Sequence, residues 1–182
     1  MAKLFLMMGI PGSGKSTWCQ KHFNYGGIPY ISRNEHFNYK GVAYVSRDEI
    51  RFSLVAENEE YFSKENEVFR QFVYEINDGL NIGLDVIADA THLSAASRNK
   101  LISLIKAPVD EINVIWIKTP LEIALERNEG RTGRTYVPKS VIKRMFYQME
   151  EPTFEEGFDK IYIVEDGKPI LIKEQDKWQM YH

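Results

Sequence analysis

The 182-residue chain is 43% hydrophobic and 27% charged, a composition typical of one globular domain, so we expect a single domain over residues 1–182. Its net charge of −3 excludes a general nucleic-acid coat, and any polyanion would have to meet a local basic patch. The lone Cys19 excludes a disulfide scaffold and no apolar run approaches membrane-span length, so we expect a cytoplasmic protein without a membrane partner.

The first motif along the chain is a glycine-rich loop at residues 9–17, GIPGSGKST, which matches G-x-x-x-x-G-K-[ST] at every fixed position. An apolar run at residues 3–8 predicts a buried strand before the loop, and the unbroken run to Phe23 predicts a helix after it. Strand, loop and helix N-terminus together form an anion site, so an accidental glycine turn is the weaker alternative.

The residues of this loop have the chemistry to hold a nucleoside triphosphate. Lys15 is expected to reach the outer phosphates as a point charge, and the Ser16 hydroxyl is expected to ligate Mg²⁺. Backbone N–H groups of the loop would cradle the phosphates. The predicted nucleotide-binding residues of the loop are Gly9, Pro11, Gly12, Ser13, Gly14, Lys15, Ser16 and Thr17.

Two similar segments follow a break at residues 24–29: residues 30–35 read YISRNE and residues 44–49 read YVSRDE. The second segment contains Asp48, and Arg51 follows three residues later, so the two side chains would share one face of a helix. A carboxylate beside an arginine could take a proton from a hydroxyl while the arginine holds a neighbouring anion. An ordinary helical ion pair is the alternative.

The first of these segments lacks both charged groups, because Asn34 stands in place of the aspartate and Phe37 in place of the arginine. An amide cannot accept a proton from a hydroxyl at neutral pH, so we assign the general base to Asp48 in the second segment. Residues 30–43 are then interpreted as a local insertion, such as an extra hairpin.

Short apolar strands alternate with helices through the rest of the chain, and Val141, Met145 and Met149 would form the buried stripe of the last helix. The alternation predicts an α/β fold, a parallel sheet with helices on both faces, whose ligand lies beyond the carboxyl ends of the strands. Residues 160–182 would form a closing hairpin and a polar tail. Strands are predicted at residues 84–89, 112–117 and 160–164, and helices at residues 48–55, 65–80, 95–106, 121–128 and 138–150.

Two further segments bring charge to that edge of the predicted sheet. Asp89 ends the strand at residues 84–89, where a carboxylate either joins a Mg²⁺–water network or caps the next helix. The segment at residues 127–137 carries Arg127, Arg131 and Arg134 among loosening glycines, which suits a lid that closes over phosphates. A solvated basic loop is the alternative for this segment.

Taken together, these segments resemble the kinase domain of phage-type polynucleotide 5′-hydroxyl kinases, within the small P-loop kinases. The resemblance runs from residue 3 to about residue 164 and rests on four motifs in the family's order. These are the phosphate loop, Ser-Arg-Asp-x-x-Arg at 46–51, Asp-x-Thr at 89–91, and Arg-Asn…Arg…Val-Pro at 127–138.

The resemblance implies a P-loop kinase fold with ATP and Mg²⁺ as cofactors. It implies that Asp48 is the general base and that Arg127 and Arg131 grip the donor phosphates, so the predicted catalytic residues are Asp48, Lys15 and Arg131. In these relatives the aspartate comes at a shorter spacing from the phosphate-loop lysine, which by counting alone would favour Asn34.

The predicted acceptor-binding residues are Arg51, Asp89 and Thr91. The family's arginine three residues after the base contacts the acceptor phosphate, and this position is Arg51. Asp89 and Thr91 match the family's Asp-x-Thr/Asn motif, although Ala90-Thr91-His92 stands where the phage enzymes usually have Thr-Asn.

These observations favour an ATP-dependent kinase that transfers the γ-phosphate to the 5′-hydroxyl of a polynucleotide. The same chemistry on a nucleoside or other small-molecule hydroxyl is an alternative that the acidic charge balance supports. A nucleotide-binding switch without transferase activity is a third possibility, but a switch needs neither an acceptor base nor an arginine lid.

Overall fold

The computed structural model describes residues 2–23 and 42–172, and its centre is a six-stranded sheet with the strand order β2-β3-β1-β4-β5-β6. Strands β1 to β5 pair in parallel, and β6 pairs antiparallel with β5 as the predicted hairpin. The strands are β1 Lys3–Met8, β2 Val42–Ser46, β3 Asp85–Asp89, β4 Glu111–Ile117, β5 Lys160–Glu165 and β6 Lys168–Ile172.

Helices connect these strands in the way that a parallel sheet requires. Two short 3₁₀ turns, Gly133–Thr135 and Phe154–Glu156, complete the described elements. The helices are α1 Lys15–Phe23, α2 Arg47–Leu54, α3 Glu65–Asn81, α4 Ala95–Ser103, α5 Leu121–Glu129 and α6 Lys139–Tyr147.

The central strand β1 sends alternate side chains to two hydrophobic layers, because successive residues of a strand face opposite sides. Leu4, Leu6 and Met8 face a layer that includes Phe72 and Ile76 of α3. Helices α2 and α4 contribute to this same layer. These apolar residues therefore give α3 a face that belongs to the core.

The opposite layer lies between the sheet and α1. Met7 packs there with Cys19 and Trp18 of α1. Burial raises the pKa of the Cys19 thiol, which keeps it protonated and suits a packing role. With helices on both faces, the predicted parallel α/β sheet is confirmed.

Helices α5 and α6 share a third, smaller core with Ile10 of the phosphate loop. Ile142 is the fully buried residue of α6. Of the predicted stripe, Met145 packs against this same core and Met149, just beyond the helix, packs against the layer on the α3 side of the sheet. Val141 is half-buried, and Ile142 takes the central place that the sequence analysis assigned to Val141.

Two predicted helices are shorter in the structure than in the sequence interpretation. The helix predicted to reach Lys106 ends at Ser103, because the Asn77 side chain of α3 accepts from the backbone N–H groups of Lys106 and Ala107 at 2.7 and 2.9 Å. The helix predicted to reach residue 150 ends at Tyr147, and Glu150 N donates to Leu93 O at 2.8 Å. In both cases a contact from another segment competes with the next helical turn.

The proposed insertion at residues 30–43 overlaps β2 at its end. Val42 and Ala43 belong to this strand and pair with Asp85 and Val86 of β3. An insertion that leaves β2 intact therefore ends by residue 41. The first similar segment with Asn34, and the tail at residues 173–182, lie outside the described residues.

Candidate active site

The phosphate loop joins β1 to α1 and is pressed against α5. Gly12 has a φ of 84°, and a Cβ atom there would come within 2.3 Å of the Ala124 carbonyl oxygen. Gly14 has a φ of 94°, and a Cβ atom there would crowd the Arg127 guanidinium at 3.3 Å. Both positions therefore favour glycine, because the backbone has a positive φ and a side chain would meet a neighbouring residue.

Lys15 lies at the start of α1, and its Nζ donates to the Gly9 carbonyl oxygen at 2.9 Å. Burial lowers the pKa of Lys15, the carboxylates of Asp89 and Asp48 oppose this shift, and the Arg131 charge adds to it. Lys15 is therefore close enough to Asp48, Asp89 and Arg131 for the charge of each to act on it.

Asp89 lies directly beside the phosphate loop. Its Oδ2 accepts from Ser16 Oγ at 2.9 Å and also accepts a short hydrogen bond from the Tyr44 hydroxyl. These contacts arise because Met7 of β1 and Ser46 of β2 both pair with Asp89 at the ends of adjacent strands. The contact with Ser16 is compatible with the metal–water role that the sequence left open for Asp89, and its acceptor-binding role stays a prediction.

The oxygens of Ser16 and Asp89 fit a magnesium ion, since a hydroxyl and a carboxylate are hard ligands that Mg²⁺ prefers. Within the described residues, no cluster of three or more His, Cys, Asp or Glu side chains could hold a metal without help. A site with few protein ligands is typical of Mg²⁺ that is shared with nucleotide phosphates.

Asp48 lies in the first turn of α2, where Ser46 caps the helix by accepting from Glu49 N at 3.4 Å. The Asp48 side chain is 68% exposed, and its Oδ1 accepts from Arg51 Nη1 and, at 3.2 Å, from the Tyr61 hydroxyl. No described residue donates to Oδ2 of Asp48, so one carboxylate oxygen is held and the other can meet a substrate.

Arg51 is buried, and each of its guanidinium nitrogens has a partner. Nε and Nη2 donate to the Glu65 carboxylate, with a shortest distance of 2.8 Å, while Nη1 donates to the Asp48 carboxylate and to the Tyr61 hydroxyl oxygen. The resemblance implies that Arg51 contacts an acceptor phosphate, but in the structure its N–H groups donate to Glu65, Asp48 and Tyr61. The helical ion pair that stood as the alternative is therefore present, and Arg51 links Asp48 to Glu65.

The lid at residues 127–137 is fixed at its base by the buried side chain of Asn128. Asn128 Nδ2 donates to Val137 O at 2.8 Å, and Val137 N donates back to Asn128 Oδ1 at 3.1 Å. Arg127 reaches the phosphate loop, where its Nη1 donates to Ser13 O at 3.1 Å. The guanidinium of Arg134 lies over the Phe52 ring at 4.8 Å from the ring centre.

Thr91 and His92 support the phosphate loop from behind. The backbone oxygen of Thr91 accepts from Gly9 N at 3.1 Å, and its acceptor-binding role stays a prediction. His92 is buried with a φ of 46°, and its Nδ1 lies 2.7 Å from Met7 O. Burial lowers the pKa of His92 to about 4, so the ring is neutral at physiological pH.

Sequence reasoning missed Glu65, Tyr61, Tyr44 and Asn128. The Arg-Asn pair before a glycine-loosened loop was a usable signal for Asn128, because a buried amide can close a loop through both of its polar atoms. Nothing in the chain pairs Glu65 with Arg51 before the fold is known, since α3 and α2 meet only through tertiary packing.

The family comparison agrees with this architecture. The model of the family AAA_33, described as an AAA domain, matches residues 4–152. The chain belongs to this family of P-loop kinases and shares its mostly parallel sheet with flanking helices.

A curated relative and two solved structures resemble the chain. It is 26% identical over 156 residues to L-seryl-tRNA(Sec) kinase of Methanococcus maripaludis, across 86% of this chain and 56% of the relative. A chain in the Pnkp1/Rnl/Hen1 RNA repair complex matches with a TM-score of 0.64 and 24% identity, covering 93% of this chain and 48% of that one. Chaetomium thermophilum Kti12 with ADP-AlF3 matches with a TM-score of 0.65 and 17% identity, covering 97% and 94%.

This chain spans about half the length of the curated relative and of the RNA repair protein. The two structural matches describe the fold alone at these identities. Among the described residues, no helix has the length and apolar character to cross a membrane.

Proposed function

We propose that the protein is an ATP-dependent kinase that transfers the γ-phosphate to a hydroxyl group, most favourably the 5′-hydroxyl of a polynucleotide. The observation that carries this proposal is the setting of Asp48. One of its oxygens is held by Arg51 and Tyr61, the other has no described donor, and its charge acts on Lys15 of the phosphate loop. A nucleotide switch without an acceptor has no use for such a carboxylate.

The donor half of the site consists of the phosphate loop, α1 and the lid. The Ser13 hydroxyl is buried in the loop without a hydrogen-bond partner among the described residues, as expected of a cradle built for phosphate oxygens. Lys15 and Arg131 would neutralise the charge of the transferred group. Ser16 and Asp89 would hold Mg²⁺, which supplies further neutralisation of the phosphate oxygens when bound.

The acceptor half is built around Asp48. We infer that the free Oδ2 accepts the proton of the substrate hydroxyl while the hydroxyl oxygen forms a bond to the γ-phosphorus. The bond from the γ-phosphorus to the β–γ bridging oxygen breaks, and ADP leaves with that oxygen. Arg51 and Tyr61 position the carboxylate, which is how a residue outside the reacting atoms can raise the rate.

A polynucleotide is the favoured acceptor because the names of two similar proteins concern RNA, although the serine hydroxyl of a seryl-tRNA is not a 5′-hydroxyl. The curated relative is named for a kinase of L-seryl-tRNA(Sec), and one structural match belongs to an RNA repair complex. The net charge of −3 limits how many phosphates such an acceptor could present to the protein at once.

Transfer of labelled γ-phosphate from ATP to a panel of acceptors tests this function. We expect label on 5′-hydroxyl oligonucleotides, weaker labelling of free nucleosides, and no transfer by Lys15→Ala. Label on sugars or nucleosides alone would move the assignment to a small-molecule kinase. Tight ATP binding without transfer to any acceptor would favour a nucleotide switch.

A further inference from the structure

The arginines of the lid occupy different parts of the site. Arg127 contacts the phosphate loop through Ser13 O, and the charge of Arg131 acts on Lys15, so both lie on the donor side. Arg134 turns away from them and lies over Phe52 of α2. The lid thus reaches both halves of the site, and only its donor-side arginines are explained by nucleotide binding.

Within residues 2–23 and 42–172, Arg134 lacks the partners that a guanidinium normally has. Its buried Nη2 has no hydrogen-bond partner there, and no carboxylate of these residues pairs with it. Its one described interaction is the stacking on Phe52 at 4.8 Å. A shielded, unpaired guanidinium nitrogen is unfavourable, because it has lost hydration without gaining an acceptor. An anionic ligand that binds beside Arg134 would supply the missing hydrogen-bond acceptor.

Phe52 places Arg134 on the acceptor side of the site. It follows Asp48 by one helical turn on α2, so the two side chains share a face of that helix. The Phe52 ring also packs edge-on against Tyr61 at 6.3 Å, and the Tyr61 hydroxyl donates to Asp48. Arg134 is therefore connected to the general base through two aromatic rings.

Arg51, the residue that sequence reasoning assigned to the acceptor phosphate, has no donor to offer it. We propose that Arg134 instead binds a phosphate of the acceptor, the one adjacent to the reacting hydroxyl, and so selects an anionic nucleotide acceptor over a neutral one. This inference rests on the proposed kinase function.

The lid holds Arg134 in position for such a ligand. The hydrogen bonds between Asn128 and Val137 close the base of the lid, so the segment that carries Arg134 is fixed at both of its ends. Gly133, with a φ of 57°, sets the direction of the chain immediately before Arg134. A guanidinium fork matches two phosphate oxygens, whereas stacking on Phe52 fixes the plane of that fork.

The test compares a nucleoside 3′-monophosphate with the corresponding nucleoside as acceptors for wild type, Arg134→Gln, Arg134→Lys and a control, Arg70→Gln. Arg70 is exposed on α3 and outside the site. Wild type and the control should prefer the phosphorylated acceptor in kcat/KM. Arg134→Gln should reduce that preference by roughly tenfold to a hundredfold, the loss of one charge-assisted hydrogen-bonding group. Arg134→Lys should keep part of it.

Equal losses on both acceptors, or an unchanged preference, would overturn the assignment of Arg134. Calorimetric binding of the nucleoside 3′-monophosphate in the presence of ADP gives an answer that does not depend on turnover. Arg134→Gln should weaken this binding by at least tenfold, and equal binding would overturn the inference. Absence of transfer to every acceptor, with the binding difference intact, would instead reject the kinase function alone.

Discussion

Two buried arginines, Arg98 and Arg51, each bind a glutamate with two or more hydrogen bonds, and their surroundings differ in one respect. Arg98 pairs with Glu156 at 2.7 and 2.8 Å, and its other hydrogen bonds go to carbonyl oxygens, including His92 O at 2.9 Å, and to the sulfur of Met8. Arg51 pairs with Glu65, but its remaining donor ends on the exposed carboxylate of Asp48.

We call the Arg98 network closed, because all of its hydrogen bonds end inside the fold, and the Arg51 network open, because one of them ends on an exposed group. Arg98 and Glu156 are 0% and 5% exposed in their side chains, and every acceptor of Arg98 belongs to the folded structure. The Arg51 network ends on the solvent-exposed carboxylate of Asp48. A buried arginine–glutamate pair is therefore structural when all of its donors end inside the fold, and it serves a site when one of them holds a reactive group.

Breaking the closed network should have the largest effect on stability. Glu156→Gln leaves Arg98 buried without its counter-charge, so we expect the free energy of unfolding to fall by about 3–5 kcal/mol. Urea unfolding followed by tryptophan fluorescence measures this loss. Glu165→Gln is the matched control, because its pair with Lys118 is about half exposed and should contribute less than about 1 kcal/mol. Equal losses in both variants would contradict the distinction.

Acid should weaken the same region through His92, whose carbonyl oxygen accepts from Arg98. The pKa of His92 is lowered from 6.5 to about 4, so the unfolded chain binds a proton in this range more readily than the folded protein. Its contribution to stability is complete above pH 6.5 and is lost as the pH falls toward 4, by up to about 3 kcal/mol.

His92→Asn removes this titration and tolerates the left-handed backbone at position 92. Urea unfolding at pH 7 and pH 5 should therefore give a smaller loss of stability for the variant than for wild type. Identical losses for the two proteins would show that His92 does not titrate in this range.

Loosening the open network should affect turnover more than folding. Glu65→Gln removes the charge that holds Arg51, so the Asp48 carboxylate is less well positioned, and we expect kcat to fall by roughly tenfold to a hundredfold. Because Glu65 is remote from the phosphate loop, the KM for ATP should change little. Glu65→Asp should restore part of kcat. A KM effect without a kcat effect would reject the positioning role.

The smallest effects should come from the first similar segment. Asn34→Ala should leave turnover close to wild type and change stability only slightly, because an amide cannot act as the general base. Deletion of residues 30–41, which spares β2, should leave a folded, active kinase. Labelled phosphate transfer measures the activity of both variants. Loss of activity in Asn34→Ala would show that we have assigned the general base to the wrong segment.

The sequence was sufficient for the parts of the molecule that local pattern encodes. The phosphate loop and the alternation of strands and helices are each determined by residues close together in the chain. Those signals also predicted that Lys15, Asp48 and Arg131 lie at one edge of the sheet, and the charges of Asp48 and Arg131 both act on Lys15 in the structure. The roles of these residues stay predictions.

Partners from distant segments could not be predicted in this way. The resemblance gave Arg51 to an acceptor phosphate, because its contacts with Glu65 and Tyr61 form only when α2 and α3 pack together. The contact of Asp89 with Ser16 could not be predicted for the same reason, since it depends on the pairing of β1 with β3. The ends of α4 and α6 were wrong where side chains or carbonyls from other segments took over backbone hydrogen bonds.

The most direct test of the account is transfer of labelled γ-phosphate to a 5′-hydroxyl oligonucleotide by Asp48→Asn. The amide fills the space of the carboxylate but cannot accept the hydroxyl proton, so turnover should fall by roughly 10²–10⁴. The dissociation constant for ATP should stay within about twofold of wild type, because Asp48 lies outside the phosphate loop. An Asp48→Asn variant with wild-type turnover would contradict the assignment of Asp48 as the general base.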